Sequence, residues 1–322
     1  MSRWRSIGVA DQHGRRVIVT GANAGLGYQT ALALAGAGAE VVMAVRDLDR
    51  GQAAAQRIRE RIELARLRVI LLDLQSLASV RDFALAQAAA GPLDLLVNNA
   101  GLMVVPRREV TPDGFESQMG VNHLGHFALT AGLLPALQRA PAGRVVSVTS
   151  MVYRRAGALD HGLGLTGPYS PMGAYSQSKL AVALFAEELD RRLRAAGSPV
   201  LSVLAHPGWS ATAPKKAAET AADAAADRPA ARPGRSVRLA RRATAILGSS
   251  PRAGARAEVY AATAPGIKGG ELIGPRFVVR GAPRPVPLAA AATDPVAAGW
   301  LWAESVRLTR TEPNPAGPMS RD

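Results

Sequence analysis

The segment Val17-Ile-Val-Thr-Gly-Ala-Asn-Ala-Gly-Leu-Gly27 joins a short β-branched run to a long stretch rich in alanine and leucine. Its three glycines have the spacing GxxxGxG at the point where a predicted strand gives way to a helix. Glycines at such a corner let the backbone approach a pyrophosphate, and the following helix directs its N–H groups and positive dipole end at that anion. The segment therefore predicts a dinucleotide site that contains Gly21, Asn23, Gly25, Leu26 and Gly27.

The alternation of strand and helix continues along the chain. Six apolar runs predict strands at 17–20, 40–45, 68–72, 93–97, 144–149 and 200–205. Helices are predicted over 25–37, 49–64, 76–90, 112–138, 174–196, 235–247 and 253–263, with Asp49 and Ser76 as N-caps of the second and third. Continuous apolar strands that alternate with helices indicate a parallel sheet covered on both faces. The predicted class is an α/β, doubly wound sheet of the Rossmann type.

A chain of 322 residues with 48% hydrophobic and 20% charged residues has a globular composition. We predict one domain over residues 14–310, with flexible termini at 1–13 and 311–322. Two segments interrupt the alternation, a glycine- and leucine-rich insertion at 154–171 and an alanine-rich segment at about 211–247 that we expect to form a substrate lid. Residues 281–292 are predicted to be a loop.

Composition excludes several kinds of site. The chain has no cysteine, which rules out disulfides, thiol nucleophiles and cysteine-ligated metals. Its five histidines include no HExxH pair, so no metal site is predicted. We find neither a signal-peptide pattern nor 18 consecutive apolar residues, and we therefore expect a cytoplasmic protein without a transmembrane segment.

The formal charge of +14 would suit a nucleic acid or an anionic membrane. The basic residues are dispersed, however, and none of their runs reaches five residues. We interpret them as a solvated basic surface and predict no nucleic-acid partner.

The ends of the next three strands carry candidate cofactor contacts. After the second strand, a carboxylate would bind the ribose hydroxyls of NAD, whereas an arginine would bind the 2′-phosphate of NADP. Val45 ends this strand and Arg46 follows it, while Asp47 is interpreted as a turn residue, so NADP(H) is favoured over NAD(H). Arg46 could instead be a solvated loop arginine. After the third and fourth strands, contacts to adenine and to a cofactor ribose are predicted from Asp73, Leu74, Asn99, Ala100 and Gly101.

Tyr175 and Lys179 lie four residues apart, on one face of a predicted helix. An ammonium group and an oxidised nicotinamide would both lower the phenol pKa from its usual value near 10, which would make Tyr175 a general acid/base. Lys179 could also bind the nicotinamide ribose. Ser150 ends the fifth strand, where its hydroxyl could donate to a carbonyl oxygen during hydride transfer. Thr149 is a competing hydroxyl, and the alternation along the strand does not decide between the two.

Six motifs in this order resemble the short-chain dehydrogenase/reductase family over roughly residues 14–280. They are TGANAGLG at Thr20–Gly27, NNAG at Asn98–Gly101, NHLGHF at Asn122–Phe127, VTS at Val148–Ser150, YSQSK at Tyr175–Lys179 and PGxxxT at Pro207–Thr212. The strings VNHLGHF, YSQSKLA and HPG are most similar to the retinol-dehydrogenase-like branch.

This resemblance implies a sheet ordered 3-2-1-4-5-6-7 and a catalytic set of Asn122, Ser150, Tyr175 and Lys179. It also implies that Asn122 kinks its helix and holds a water in a proton relay from Lys179, and that Pro207, Gly208 and Thr212 contact the nicotinamide end of NADP(H). One departure is the 25-residue separation of Ser150 and Tyr175, which the insertion explains. Relatives associate through the helices that start here near Pro112 and Ala174, so a homo-oligomer is possible.

The leading hypothesis is an NADP(H)-dependent oxidoreductase that interconverts a small-molecule carbonyl and an alcohol, with Tyr175 as the proton donor in reduction. An apolar pocket wall predicts a lipophilic substrate, and its members would be Met103, Val104, Tyr169, Met172 and Trp209. Two alternatives stay open. One is a cofactor-binding regulator or scaffold without turnover, and the other is a carbon–carbon double-bond reductase.

Overall fold

The structure is a computed structural model that describes residues 9–208, 250–278 and 281–316. Its strands are β1 (Arg16–Thr20), β2 (Glu40–Val45), β3 (Arg66–Leu71), β4 (Leu95–Asn98), β5 (Arg144–Val148), β6 (Leu201–Ala205), β7 (Leu272–Pro275) and β8 (Pro283–Val286). They form one sheet in the order β3-β2-β1-β4-β5-β6-β7-β8, parallel except for β8, which runs antiparallel to β7. The predicted Rossmann-type sheet and its strand order are confirmed, with one further edge strand.

The helices of the described residues are α1 (Gly25–Gly36), α2 (Leu48–Arg59), α3 (Leu77–Ala89), α4 (Ser117–Met119), α5 (Gly125–Gln138), α6 (Pro171–Ala195), α7 (Pro251–Thr263) and α8 (Pro295–Thr309). A π-helical turn, Gly120–Leu124, joins α4 to α5. Two 3₁₀ turns lie at Met151–Arg155 and Ala290–Ala292.

Both faces of the sheet are buried by helices. Val17 and Val19 of β1 belong to a core cluster with α1, α2 and α7. Ile18, between them, points to the opposite cluster, which contains residues of α3, α5 and α6. Because successive side chains of a strand point to opposite faces, a strand covered on both sides must be apolar throughout. This requirement explains the uninterrupted apolar runs in the sequence.

The structure corrects three local predictions. The predicted loop at 281–292 contains β8, whose Pro283 and Pro285 are tolerated because this strand lies at the sheet edge. The N-cap of α2 is Asp47, not Asp49, and its carboxylate accepts a hydrogen bond from the Arg50 N–H at 3.0 Å. The helix predicted over 112–138 begins only at Ser117 and contains the π-helical turn.

Parts of the two termini that were predicted to be flexible pack against the folded core. Gln12 is buried, and its backbone N–H donates to the Ala37 carbonyl at 2.9 Å. At the other end, the Trp302 indole N–H donates to Glu312 at 3.3 Å, and Gln138 donates to the Asn314 carbonyl at 3.0 Å. Both segments therefore lie against elements of the folded core.

Helix α8 covers part of the α5–α6 surface. Trp302 lies edge-on to Phe127 with ring centroids 5.2 Å apart, stacks near Phe185 at 6.2 Å, and is covered by the Arg192 guanidinium at 4.3 Å. Association through α5 and α6 stays a prediction, but any such contact would have to accommodate α8. No helix within the described ranges is both long and apolar enough to cross a bilayer.

Candidate active site

The glycine corner between β1 and α1 has the backbone geometry that an anion site requires. Gly21 and Gly25 have φ of +65° and +57°, a region that side-chain-bearing residues rarely adopt. A Cβ on Gly27 would lie 2.4 Å from Asn99 Nδ2 and 2.5 Å from the Gly21 carbonyl oxygen. Ala24 precedes α1 and provides no side-chain cap for its first N–H groups. These N–H groups, together with a corner that excludes side chains, fit the pyrophosphate of a dinucleotide.

The glycine corner and the turn after β6 both pack against α7. A Cβ on Gly254 of α7 would lie 2.7 Å from Leu26 Cδ2 and 3.3 Å from Pro207 Cβ. A glycine on α7 therefore allows the start of α1 and the Pro207–Gly208 turn to pack on the same helix. Sequence reasoning missed Gly254, because nothing in its local sequence distinguishes it from other helical glycines.

The candidate adenosine contacts lie after β2 and β3, at the carboxyl edge of the sheet. Arg46 directly follows β2 and is exposed. Asp73 follows β3 and is partly buried, and its carboxylate accepts from the Gln75 N–H at 2.9 Å. Leu74 is buried beside it. Asn23, in the glycine corner, is partly buried.

The segment after β4 is tied to the end of β1. Asn99 Nδ2 donates to the Thr20 carbonyl at 2.6 Å, and the backbone N–H groups of Asn99 and Ala100 donate to Thr20 Oγ1 at 3.0 and 2.9 Å. Gly101 then passes between two polar groups. A Cβ placed on it would lie 2.8 Å from Asn122 Oδ1 and 3.6 Å from Lys179 Nζ.

Asn122 lies in the π-helical turn, a feature that places an extra residue in the helix. Its Oδ1 accepts from the Leu102 N–H at 2.8 Å, and its Nδ2 donates to the Leu102 carbonyl at 3.0 Å and to Ser178 Oγ at 2.8 Å. The side chain thus joins the segment after β4 to α6. The helix distortion expected at Asn122 takes the form of this π-helical turn.

Ser150, Tyr175 and Lys179 lie together at the carboxyl end of β5. The Ser150 hydroxyl interacts with the Tyr175 phenol and lowers its pKa. Lys179 Nζ is 5.9 Å from the Tyr175 ring centroid and donates to the Val148 carbonyl at 2.9 Å. The competing hydroxyl, on Thr149, is buried and donates instead to the Lys179 carbonyl at 2.9 Å. Ser150 is therefore the hydroxyl that faces the phenol.

The pKa of Tyr175 differs from the expectation. Burial raises it to about 12, and the Ser150 hydroxyl opposes this rise only in part. The expected decrease assumed that the charges of Lys179 and of an oxidised nicotinamide would together outweigh burial. Loss of hydration at this position penalises the phenolate more strongly than the Ser150 hydroxyl stabilises it.

The turn after β6 is held by a histidine to which sequence reasoning assigned no role. Gly208 has φ of +71°, and its N–H donates to His206 Nδ1 at 3.2 Å. Burial, with a smaller contribution from Arg154, lowers the pKa of His206 to about 4. The neutral imidazole can therefore accept this hydrogen bond and fix the Pro207–Gly208 turn. Thr212, Trp209, the predicted lid at 211–247 and the predicted helix at 235–247 lie outside the described residues.

A pocket of about 230 Å³ lies between the 154–171 insertion, α4 and the start of α6. Of the side chains predicted to form a pocket wall, Tyr169 lines this pocket, whereas Met103, Val104 and Met172 do not, and Met172 is 41% exposed. The lining also includes charged residues, namely Arg108, Glu116, Arg155 and Asp160. Burial raises the pKa of the Glu116 carboxyl. This pocket is consequently more polar than the predicted wall.

Comparisons with known proteins agree with this geometry. A family-wide sequence profile described as short chain dehydrogenase matches residues 15–223. Polyprenol dehydrogenase of Mus musculus is 45% identical over 308 residues, which span 92% of this chain and 84% of that protein. Retinol dehydrogenase 13 of Homo sapiens is 44% identical over 202 residues, which span 62% of this chain and 60% of that protein.

Among solved structures, an uncharacterised protein from Mycobacterium paratuberculosis is 42% identical with a TM-score of 0.76, and the match covers 95% of this chain and 97% of that one. The family's fold binds a nicotinamide cofactor, which agrees with the glycine corner after β1. The profile match and the length of the similar region together identify the family. The chain belongs to the short-chain dehydrogenase/reductase family of oxidoreductases and, within it, to the retinol-dehydrogenase-like branch.

Proposed function

We propose that this protein is an NADP(H)-dependent oxidoreductase that interconverts a lipophilic aldehyde or ketone and its alcohol by hydride transfer. The observation that carries the proposal is the grouping of three side chains: the Ser150 hydroxyl interacts with the Tyr175 phenol, and Lys179 Nζ is 5.9 Å from the phenol ring. These three side chains lie at the carboxyl edge of the sheet, where doubly wound folds bind their ligands.

The roles of the side chains follow from their chemistry. The bound nicotinamide would supply or accept the hydride. Tyr175, whose pKa is about 12, carries its proton at neutral pH and can donate it to a carbonyl oxygen during reduction. The Ser150 hydroxyl can donate a second hydrogen bond to that oxygen as negative charge develops on it. Lys179, whose ammonium group lies beside Gly101 and Asn122, would help to return a proton to the phenol.

NADP(H) is supported by the position of Arg46. Its exposed side chain directly follows β2, where the ribose of the adenosine half would lie. A guanidinium group at this place can pair with a 2′-phosphate, whereas NAD(H) offers it only a hydroxyl. Bound NADP is also present in a solved structure from Beutenbergia cavernae, described as an NAD(P)-dependent gluconate 5-dehydrogenase, which is 25% identical with a TM-score of 0.58.

A lipophilic substrate is supported by the names of the relatives. Polyprenols and retinol are isoprenoid alcohols, and the proteins named for them are 45% and 44% identical over the matched regions. Met172, on the first turn of α6 three residues before Tyr175, presents an exposed apolar side chain that a lipophilic substrate could contact.

The first experiment measures NADPH oxidation with retinal, a short polyprenal, an aliphatic aldehyde and a polycyclic ketone. We expect turnover with at least one lipophilic carbonyl and a loss of at least about 10³-fold in kcat for Tyr175→Phe, with NADPH binding retained. The matched control is Tyr153→Phe, since Tyr153 is fully buried and its hydroxyl accepts from the Ala289 N–H at 2.9 Å. Full activity of Tyr175→Phe would refute the mechanism.

The second experiment tests the cofactor. We expect Arg46→Ala to raise KM for NADPH by about 10- to 100-fold and to leave KM for NADH within about twofold, because only NADPH loses a charge-assisted contact. Arg50→Ala is the control, since Arg50 lies on α2, is exposed and pairs with Asp47. Equal changes of both KM values in Arg46→Ala would argue against the proposed preference.

A further inference from the structure

His126 lies on the first turn of α5, four residues after Asn122, and is buried. Its Nδ1 is 3.1 Å from the Asn122 carbonyl oxygen, and its Nε2 is 2.9 Å from Thr20 Oγ1. A carbonyl oxygen can only accept a hydrogen bond, so Nδ1 must carry the proton and donate it. In the neutral imidazole, Nε2 then accepts from the Thr20 hydroxyl.

The Thr20 hydroxyl extends this network toward the cofactor corner. Its oxygen accepts from the N–H groups of Asn99 and Ala100 at 3.0 and 2.9 Å. Its own proton has a second acceptor, the Val97 carbonyl, but that oxygen is farther away at 3.3 Å. Thr20 is the last residue of β1 and directly precedes Gly21. His126 therefore links the glycine corner and the end of β4 to the peptide of Asn122.

From Asn122 the network continues to the helix that carries the phenol. Asn122 Nδ2 donates to Ser178 Oγ at 2.8 Å, and that hydroxyl donates to the Tyr175 carbonyl at 2.9 Å. The Asn122 side chain also lies against Gly101, as does Lys179 Nζ. Buried hydrogen-bond networks of this kind fix one orientation, because each group that moves leaves its partner unsatisfied.

We propose that His126 is a positioning residue for proton transfer. It holds the Asn122 peptide in a fixed orientation relative to the glycine corner, so that Asn122, Lys179 and Tyr175 keep the spacing on which the proton pathway depends. His126 acts on the site through Asn122, because its ring nitrogens bond to the Asn122 carbonyl and to Thr20 Oγ1. This inference rests on the proposed function, because it assigns a role within the same site.

The test compares two phenylalanine substitutions on the same turn. His126→Phe keeps the bulk of the ring and removes both hydrogen bonds. His123→Phe is the matched control, since His123 is equally buried and adjacent to Asn122, but its Nε2 bonds to Ser305 Oγ at 2.8 Å on α8. We expect His126→Phe to lower kcat by about 10-fold or more, to change the pH profile of kcat and to leave the NADPH Kd within about threefold. His123→Phe should lower thermal stability and leave the pH profile of kcat as in the wild type.

A conservative variant separates positioning from folding. In His126→Asn, the side-chain amide can still donate to the Asn122 carbonyl, and we expect it to recover most of the kcat that His126→Phe loses. The proposal is overturned if His126→Phe keeps the wild-type kcat and pH profile, if His123→Phe changes them equally, or if His126→Asn is no better than His126→Phe.

A second measurement needs no turnover. The ¹⁵N NMR spectrum of the wild-type protein should show His126 as the neutral tautomer with its proton on Nδ1, and a proton on Nε2 would overturn the network. If no carbonyl in the screen is reduced by the wild type, the proposed function fails, whereas the tautomer still decides whether His126 links Thr20 to Asn122.

Discussion

We expect Glu187→Gln to stabilise the protein at neutral and alkaline pH. Burial raises the pKa of the Glu187 carboxyl to about 7, the nearby Asp190 raises it further, and Arg194 opposes the shift in part. The Glu187 Oε1 atom is buried and has no hydrogen-bond partner among the described residues. A charged carboxylate at this place on α6 therefore costs folding free energy that a neutral amide does not.

The magnitude follows from the two pKa values. A carboxyl that titrates near 4.5 when unfolded and near 7 when folded changes stability by at most about 3 kcal/mol, and partial exposure reduces this to about 1–2 kcal/mol. Between these pH values the folded state holds more protons than the unfolded one, so stability is present below pH 4.5 and is lost as pH rises through 7. The gain from Glu187→Gln should thus be present at pH 8 and nearly absent at pH 5.

Urea denaturation at pH 5 and pH 8 measures this gain, and the neighbouring carboxylate provides the control. Burial would raise the pKa of Glu188, but hydrogen bonds from Arg191 and Arg192, both at 2.7 Å, outweigh it and lower the pKa. Glu188→Gln should consequently destabilise the protein at pH 8. A Glu187→Gln protein that is no more stable than the wild type at pH 8, or that gains equally at pH 5, would refute the reasoning.

Four further substitutions test the site and the core. Gly27→Ala should raise the NADPH Kd by about 10-fold or more, since its Cβ would lie 2.5 Å from the Gly21 carbonyl oxygen; a fluorescence titration with unchanged Kd would contradict the close approach. Trp302→Ala should destabilise the protein by about 3–5 kcal/mol in urea denaturation, because the ring is 3% exposed; a loss below about 1 kcal/mol would show that α8 contributes little. Ser150→Ala should lower kcat by about 10²-fold with little loss of stability. Thr149→Val should instead lower the melting temperature and leave kcat unchanged, since the Thr149 hydroxyl donates to the Lys179 carbonyl. The reverse result would exchange the roles of the two residues.

Much of the fold could be predicted because its signals are local. The strand at 40–45 and the helix starting at residue 25 coincide with β2 and α1, since each follows from a run of neighbouring residues. The β8 strand could not be predicted, because two prolines are compatible with a strand only at a sheet edge, and edge position is a property of the whole sheet. The choice of Asp47 over Asp49 as N-cap likewise depended on where α2 begins.

For the site, the sequence by itself determined the glycine corner and the helical pairing of Tyr175 with Lys179, because both depend only on the spacing of residues that are close together in the sequence. Tertiary structure alone decided the rest. The Ser150 hydroxyl faces the phenol, and burial raises the phenol pKa. His126 bonds to Thr20, which lies 106 residues earlier in the chain, and thereby joins it to Asn122. Burial and hydrogen-bond partners arise where distant segments meet, and the spacing of residues along one segment does not contain that information.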